Sequence, residues 1–213
     1  MYEYILFDFD GTVFDTVEGI TKSVRYAINK IGLDAELSEL RCFAGPPLTD
    51  MFMERFSLSA SAAEQAVTDF RERYLPIGLY ECRVFPGIKA LLSELRASGK
   101  RVGLATSKPQ ELAELLLKRE GMLELFDVIC GSSGEGGGGT KQQVLSRAME
   151  LISADAESTV LVGDTKYDVE GARLCSVPCI GVRYGYAAGG ELERAGAIAI
   201  AEDMEQLRAM LLS

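Results

Sequence analysis

Short apolar runs recur along the chain and predict buried strands. Each run is nearly continuous and shows little alternation of apolar and polar positions, which is typical of strands covered on both faces of a parallel sheet. The runs lie at residues 4–9 (YILFDF), 101–106 (RVGLAT), 126–130, 159–162 (TVLV), 178–182 (PCIGV) and, more weakly, 197–201.

Helical patterns lie between these runs. Pro109 is suited to a first helical turn, and Leu112, Leu115 and Leu116 follow at helical spacing. Residues 144–151 and 204–211 show the same spacing of apolar side chains. Strands that alternate with helices predict an α/β fold, a Rossmann-like parallel sheet with helices on both faces.

Residues 15–81 interrupt this alternation. They contain several helical patterns and no convincing strand, whereas a crossover between parallel strands needs one helix. The patterns lie at 17–31, 51–56 and 63–74. We therefore expect an α/β core domain made of residues 1–14 and 82–213, with an inserted all-helical cap domain at 15–81. An insertion at the carboxyl end of a strand is positioned to cover a site there.

Two carboxylates follow the first apolar run, within the segment DFDGT at 8–12. The two-residue period of an extended chain puts Asp8 and Asp10 on one side, where they repel each other unless a cation lies between them. An Asp-Gly turn that closes the strand is the simpler alternative. An EF-hand loop is excluded by spacing, because the glycine is the fourth loop residue instead of the sixth and the segment follows a strand.

A second acidic pair follows the run at 159–162. Asp164 comes directly after Gly163, and Asp168 lies in a first helical turn if the helix begins at Thr165 or Lys166. Parallel strands end at one edge of their sheet, so both acidic pairs can converge there. Oxygen ligands without nitrogen or thiolate suit Mg²⁺, which we predict to be the cofactor.

Two further features fit a phosphate site. Thr106 and Ser107 end the second strand and offer a hydroxyl and backbone N–H groups. Lys141 can supply positive charge at the start of the helix that opens near Thr140. The glycine-rich segment at 131–139 (GSSGEGGGG) precedes this lysine, and its composition predicts a mobile loop.

Composition narrows the chemistry. The chain has no histidine, which excludes Ser-His-Asp triads, histidine phosphatases and sites that need imidazole. A net charge of −10 argues against a nucleic-acid polymer or an anionic membrane as partner. No apolar run reaches the ~20 residues of a membrane span, and the first residues lack features of a secretion signal. We therefore expect a cytoplasmic protein that acts on a small molecule.

The five cysteines show no CxxC spacing, so we expect reduced, mostly buried thiols. No arginine stands six positions after any of them, which removes the C-x5-R pattern of cysteine phosphatases.

Taken in order, the motifs resemble the haloacid dehalogenase superfamily of phosphohydrolases over nearly the whole chain. They are DFDGT at 8–12, the helical insertion, LATSKP at 104–109, Lys141 and VGDTKYD at 162–168. The segments FAGPPL at 43–48, FPGI at 85–88 and IGVRYGY at 180–186 look like the phosphoglycolate phosphatase branch and its 5'-nucleotidase-like relatives.

The resemblance implies a role for each residue. Asp8 would be the nucleophile that forms an aspartyl-phosphate, and Asp10 the general acid and then the base. Thr106, the Ser107 amide and Lys141 would hold the phosphoryl group. The metal would be bound by Asp8, by Asp164 and by the backbone carbonyl of Asp10. Asp168 would be a further ligand or would support the ligands.

The insertion would then recognise the leaving group of the substrate. We expect Arg41 and the turn at Gly45 to contact this part of a small phosphorylated metabolite. Phosphoglycolate carries a carboxylate and needs a cationic cap residue, whereas a nucleoside monophosphate needs aromatic or apolar surface such as Phe43 or Phe52. Dehalogenases of this fold lack the second aspartate, so Asp10 favours a phosphatase.

Three alternatives stay open at this point. Gly134, Gly136 and Gly139 satisfy the GxGxxG pattern of nucleotide-binding loops, although the order of Thr140 and Lys141 is wrong for a P-loop. A non-catalytic module on a phosphatase-like scaffold is the second alternative. A phosphomutase is the third, because it shares the motifs of the phosphatases.

Overall fold

A computed structural model describes residues 2–132 and 139–212. The chain divides into two compact units, one formed by Met1–Phe14 with Val84–Ser213 and the other by Asp15–Arg83. The chain passes between them at strands β2 (Phe14–Asp15) and β3 (Arg83–Val84), which pair as a short two-stranded sheet. The mobility expected for the glycine-rich segment concerns mainly residues 133–138, which lie outside the described residues.

A six-stranded parallel sheet forms the first unit. Its strands are β1 (Tyr4–Phe7), β4 (Arg101–Pro109), β5 (Val128–Ser132), β6 (Thr159–Gly163), β7 (Cys179–Val182) and β8 (Ala199–Ala201). The spatial order is β5-β4-β1-β6-β7-β8, and every pair of neighbours is parallel. Strand β1 therefore lies between β4 and β6, and the chain continues from it in both directions across the sheet. Ligands of open α/β sheets bind at such a reversal of strand order.

Helices cover this sheet. They are α4 (Ile88–Ala97), α5 (Gln110–Arg119), α6 (Lys141–Ile152), α7 (Lys166–Leu174), α8 (Glu191–Ala195) and α9 (Met204–Leu212). One core cluster packs Leu6 and Leu161 of the sheet with apolar side chains of α6, α7 and α8. The alternate strand residues Ile5 and Val160 are equally buried. Both faces of the strands are therefore covered, which confirms the predicted fold class.

The second unit is mostly helical. It contains α1 (Val17–Lys30), α2 (Leu48–Phe56) and α3 (Ala60–Tyr74), with 3-10 turns at Leu37–Phe43 and Gly78–Tyr80. Helices α1 and α3 pack together. Gly19 allows α1 to approach the 3-10 turn at Gly78–Tyr80 closely, because a Cβ at this position would strike the carbonyl oxygen of Gly78.

Several strand ends differ from the predictions. Strand β1 ends at Phe7, two residues early, because the Phe9 carbonyl accepts hydrogen bonds from the N–H groups of Val13 and Phe14 and turns the chain. Strand β4 runs on beyond Thr106. Pro109 ends it with extended dihedral angles and precedes α5, although we expected it in the first helical turn.

None of the helices in the two described stretches combines the length and the apolar character that crossing a bilayer requires.

Candidate active site

The ends of three neighbouring strands bring the predicted site residues of the first unit together. Asp8 directly follows β1, and its backbone N–H donates to the carbonyl of Val162 on β6 at 2.8 Å. Thr106 lies near the end of β4, and Asp164 directly follows β6. Because β1 lies between β4 and β6, Asp8 is at the middle of this edge.

Lys141 reaches this edge from the first turn of α6. Thr140 caps the helix: its hydroxyl accepts from the Gln143 N–H at 3.3 Å, and the Gln143 side chain accepts from the Thr140 N–H at 3.0 Å. The Lys141 ammonium pairs with Oδ1 of Asp8 at 2.5 Å and Oδ1 of Asp168 at 2.8 Å. It also donates to the carbonyl of Ala105 at 3.0 Å. The lysine is thus held from three sides.

Asp168 has two functions at once. Its Oδ2 accepts hydrogen bonds from the Thr165 N–H at 2.9 Å, the Thr165 hydroxyl at 2.8 Å and the Asp164 N–H at 3.2 Å. These bonds satisfy N–H groups at the start of α7, which otherwise have no partner in the helix. Its other oxygen binds Lys141, so the helix cap also fixes the lysine.

Asp164 is fully buried and is oriented by two donors. The Thr12 hydroxyl donates to its Oδ1 at 3.2 Å, and the Tyr186 N–H donates to its Oδ2 at 2.8 Å. Two glycines make room for this carboxylate, because a Cβ at Gly11 or Gly185 would overlap with its atoms.

Glycines also make room for the neighbouring side chains. A Cβ at Gly163 would overlap with Asp168, and one at Gly171 would press on the stem of Lys141. Gly171 is inside α7, where glycine is unfavourable by about 1 kcal/mol relative to alanine. The close approach of Lys141 gives a reason for its presence there.

Burial dominates the electrostatics of the site. It raises the pKa of Asp8 to about 6, with Lys141 acting in the opposite direction and Asp168 in the same direction. Burial also raises the pKa of Asp164 well above its usual range, and the charges of Asp168 and Asp8 add to this effect. For Lys141, burial disfavours the charge, but Asp168 and Asp8 outweigh it and the pKa is raised.

The carboxylates fit a metal ion. Asp8, Asp164 and Asp168 each offer one oxygen, and these oxygens lie within 4.8 Å of one another. When all are ionised, Lys141 balances one of three buried negative charges. Burial, and after it the neighbouring carboxylates, raise the pKa values of Asp8 and Asp164. A divalent cation would remove the excess of negative charge, and an all-oxygen donor set suits hard cations.

The carboxylate of Asp10 lies outside this group of three. Instead it accepts hydrogen bonds from the Lys108 ammonium, at 3.1 Å for Oδ1 and 3.4 Å for Oδ2. The contact with a metal that the resemblance implies for Asp10 involves its backbone carbonyl, which would leave the carboxylate for the expected proton transfer.

The other predicted phosphate ligands end β4. Thr106 is buried, and its hydroxyl accepts a hydrogen bond from the Lys108 N–H at 3.2 Å. Ser107 is half-buried. Both lie on the strand next to Asp8.

The predicted substrate-contacting residues of the cap belong to the second unit. Arg41 is exposed in the 3-10 turn, and Gly45 is exposed just after it with a φ of 109°. The expectation that Phe43 or Phe52 offers aromatic surface is wrong. Both are buried, with ring centroids 5.0 Å apart, and Phe56 packs against them.

Sequence reasoning missed several site residues. Lys108, Thr12, Thr165 and the Tyr186 N–H all contact the predicted carboxylates. Lys108, Thr12 and Thr165 lie inside the segments LATSKP, DFDGT and VGDTKYD, and this membership is the signal that the sequence offers for them. The contact of Tyr186 is made by the backbone and has no signal in the side chain.

The family comparison matches residues 5–182 to the model of the haloacid dehalogenase-like hydrolases. A 5'-nucleotidase from Pseudomonas aeruginosa is 37% identical over 213 residues, which cover 100% of this chain and 96% of that protein. A phosphoglycolate phosphatase from Cupriavidus necator is 32% identical, with coverage of 97% and 92%.

A solved structure gives the same result. The crystal structure of a predicted phosphatase from Clostridium acetobutylicum superimposes with a TM-score of 0.95 at 39% identity and covers 100% of this chain and 99% of that one. The matched family, the fold and the carboxylate edge agree with one another. The chain is therefore an enzyme of the haloacid dehalogenase-like hydrolase family and belongs to its phosphatases.

Proposed function

We propose that the protein hydrolyses a small phosphomonoester in a Mg²⁺-dependent reaction with an aspartyl-phosphate intermediate on Asp8. The observation that carries this proposal is the buried Asp8 carboxylate, which is bound to Lys141 and lies within 4.8 Å of oxygens of Asp164 and Asp168. A carboxylate beside a fixed ammonium and a cation site can approach an anionic phosphoryl group with little repulsion.

In the first step, a carboxylate oxygen of Asp8 attacks phosphorus and the bond from phosphorus to the ester oxygen breaks. Asp10 gives its proton to that oxygen, so an alcohol leaves. Thr106, the Ser107 amide and Lys141 bind the oxygens of the transferring group. The products of this step are the aspartyl-phosphate and an ionised Asp10.

In the second step, a water molecule attacks phosphorus and the acyl-phosphate bond breaks. Asp10 takes a proton from the water, which restores its protonated state. Asp8 returns to its carboxylate form and inorganic phosphate leaves. The same side chain thus acts as acid in one step and as base in the next.

Magnesium would be held by Asp8, Asp164 and the backbone carbonyl of Asp10, with Asp168 as a further ligand or as support. When bound, it supplies positive charge that offsets the carboxylates and the phosphoryl oxygens. Carboxylate and carbonyl oxygens, without sulfur or imidazole, favour Mg²⁺ among the common cations.

The second unit would serve as a cap that excludes water and contacts the leaving group. We assign this contact to Arg41 and Gly45. A nucleoside monophosphate, suggested by the relative named 5'-nucleotidase, would need aromatic surface that Phe43 and Phe52 do not offer, because they are buried. The exposed Arg41 suits a substrate with a carboxylate, as in the relative named phosphoglycolate phosphatase. A phosphate-release panel with phosphoglycolate and nucleoside 5'-monophosphates separates these two possibilities.

The test of the nucleophile is Asp8→Asn. We expect phosphate release to fall by about 10⁴-fold or more, because an amide does not form the intermediate. Chelation of Mg²⁺ by EDTA should also abolish turnover of the unaltered enzyme. Asp155→Asn removes an exposed carboxylate just before β6, at the opposite end of that strand, and should have no effect. Near-normal turnover by Asp8→Asn would contradict the proposal.

A further inference from the structure

Lys108 is a buried lysine next to the site that has no assigned part in the proposed reaction. It lies on β4, two residues after Thr106, and both side chains are buried while Ser107 between them is half-buried. The strand is irregular here, because the register of β4 with β5 shifts between Ala105 and Pro109. The hydrogen bond from the Lys108 N–H to the Thr106 hydroxyl fixes this local geometry.

The ammonium of Lys108 is directed at Asp10. It donates to both carboxylate oxygens, at 3.1 and 3.4 Å, and the side chain of Lys108 is only 4% exposed. Its nitrogen also lies 5.5 Å from the ring centroid of Phe9. That ring is itself fixed, because it stacks on Phe14 with a centroid distance of 4.5 Å. A cation between a carboxylate and a fixed aromatic ring has little freedom to move.

Asp10 needs such a support. The proposed reaction requires its carboxyl group to meet first the leaving oxygen and then a water molecule. Its side chain is 15% exposed, and it precedes Gly11, whose φ of 83° bends the chain away from β1. Lys108 donates hydrogen bonds to both oxygens of this carboxylate, whereas Asp8, Asp164 and Asp168 form their own group.

We propose that Lys108 is a positioning residue that holds the carboxyl group of Asp10 in the direction required for proton transfer to the leaving group. The inference rests on the proposed function. It differs from a direct role of Lys108 on the phosphoryl group, since its effect would pass entirely through Asp10.

The inference predicts a dependence on the leaving group. The value of kcat/KM reports the steps up to formation of the intermediate, where Asp10 acts as an acid. An alkyl phosphate needs this acid because an alkoxide is a poor leaving group. A 2,4-dinitrophenyl phosphate needs it little, because its leaving group is stable as an anion. Lys108→Met should therefore lower kcat/KM about 10- to 100-fold for the alkyl ester, and less than about 3-fold for the dinitrophenyl ester.

A double-mutant cycle tests the route of the effect. If Lys108 acts through Asp10, then Lys108→Met should change kcat/KM for the dinitrophenyl ester or the alkyl ester by less than about 2-fold in an Asp10→Asn background. Equal losses in both backgrounds, or equal losses for both esters, would overturn the inference and would assign Lys108 to the phosphoryl group or to the fold.

Lys100→Met is the matched control. Lys100 is also buried and immediately precedes β4, but its ammonium donates to the Tyr2 carbonyl at the opposite edge of the sheet. Its loss should not alter the ratio of kcat/KM values for the two esters. If Lys108→Met does not fold, as judged by thermal unfolding, the same measurements are made with Lys108→Gln, whose amide can still donate one hydrogen bond. The loss should then be smaller but equally dependent on the leaving group.

A crystal structure of the Lys108 variant gives a readout that does not depend on activity. We expect the Asp10 side chain to leave its present rotamer or to occupy several. An unchanged Asp10 would overturn the inference while leaving the proposed function intact. A wild-type enzyme that hydrolyses no phosphomonoester in the presence of Mg²⁺ would overturn both.

Discussion

At the scale of single residues, the space around Asp164 is as important as its ligand atoms. Gly11 and Gly185 approach this side chain so closely that a methyl group on either would overlap with it. The Thr12 hydroxyl and the Tyr186 N–H then determine where its two oxygens point. If Asp164 binds the proposed metal, its orientation as a ligand is thus set by residues that need not touch the metal.

Gly185→Ala should therefore weaken Mg²⁺ binding about 10- to 100-fold, because the new Cβ displaces Asp164. Titration calorimetry of the purified variant measures this directly. Gly189→Ala is the control: among the described residues, apart from its two chain neighbours, no atom lies within 4 Å of a Cβ there, so its affinity should be that of the unaltered protein. A Mg²⁺ affinity of Gly185→Ala equal to that of the unaltered protein would contradict this prediction, because it would mean that displacing Asp164 does not weaken Mg²⁺ binding.

The carboxylates and Lys141 were predictable from the sequence at this scale, and the other groups that contact the carboxylates were not. Asp8, Asp10, Asp164 and Asp168 stand at the ends of apolar runs, where local patterns place them at one sheet edge. No comparable sequence pattern indicates that Lys108 belongs to the site. A lysine at a strand end is usually solvated, and its contact with Asp10 joins positions 98 residues apart.

At the scale of elements, helix caps connect stability to the site. Thr140 caps α6, whose first residue is Lys141, and Ser59 caps α3 in the other unit by accepting from the Ala62 N–H. Both caps are exposed and of the same chemical type. The helices that they cap differ, because α6 carries the site residue Lys141 and α3 carries none of the predicted site residues.

Thr140→Ala and Ser59→Ala should each lower the free energy of unfolding by about 1 kcal/mol, because each removes one capping hydrogen bond. Urea denaturation measures this loss. In addition, Thr140→Ala should lower kcat by about 3- to 10-fold, since the first turn of α6 positions Lys141. An equal kcat for the two variants would show that the α6 cap does not contribute to catalysis.

Asp127 connects β4, β5 and α4. It precedes β5, its Oδ2 accepts from the Val102 N–H at 2.8 Å, and its Oδ1 pairs with Arg96 at 2.9 Å. Burial acts to raise the pKa of Asp127, but the Val102 N–H, Arg96 and Arg101 outweigh it and the pKa is lowered from 3.8. The ionised form is therefore the one that the fold favours.

The lowered pKa of Asp127 makes the stability of the protein depend on pH. A carboxyl group with a lowered pKa contributes stability that is present above the unfolded-state pKa near 3.8 and is lost as the pH falls through the folded-state value. The difference in unfolding free energy between the unaltered protein and Asp127→Asn should be constant above about pH 5 and should shrink below about pH 4. Denaturation series at several pH values measure it, and a difference that does not change with pH would contradict the assignment.

The sequence located the strands of the sheet but not all of their ends. Apolar runs report burial, and burial continues past the last ladder hydrogen bond. Phe9 is fully buried, yet its carbonyl already belongs to a turn. Strand β4 shows the converse, since it extends past Thr106 through the polar residues Ser107 and Lys108, which an apolar pattern does not detect.

At the scale of the whole molecule, the buried carboxylates carry an excess of negative charge that opposes folding, and a bound cation would relieve it. Residues from β1, β6 and α7 contribute to that excess, so the ion would bind the native chain and not the unfolded one. The resemblance, the parallel sheet and the phosphatase assignment were predictable and are confirmed.

Mg²⁺ at about 100 times its dissociation constant should therefore raise the free energy of unfolding by about 2.7 kcal/mol. Chemical denaturation with Mg²⁺ and with EDTA measures this difference. Asp164→Asn should lose most of it, whereas Asp155→Asn should retain it. Equal stability with and without Mg²⁺ in the unaltered protein would mean that the ion does not bind the free enzyme.

The central place of β1 affects how the protein is made. Its partners in the sheet lie roughly 100 and 155 residues further along the chain, at Arg101 and Thr159. During synthesis on a ribosome, β1 emerges before β4 and β6, and the hydrogen-bonding groups on its two edges stay unpaired until β4 and then β6 have been translated. A nascent chain that stalls before β6 therefore contains β1 and Asp8 but lacks the neighbouring strand β6 and Asp164. Holding chaperones should recognise such chains.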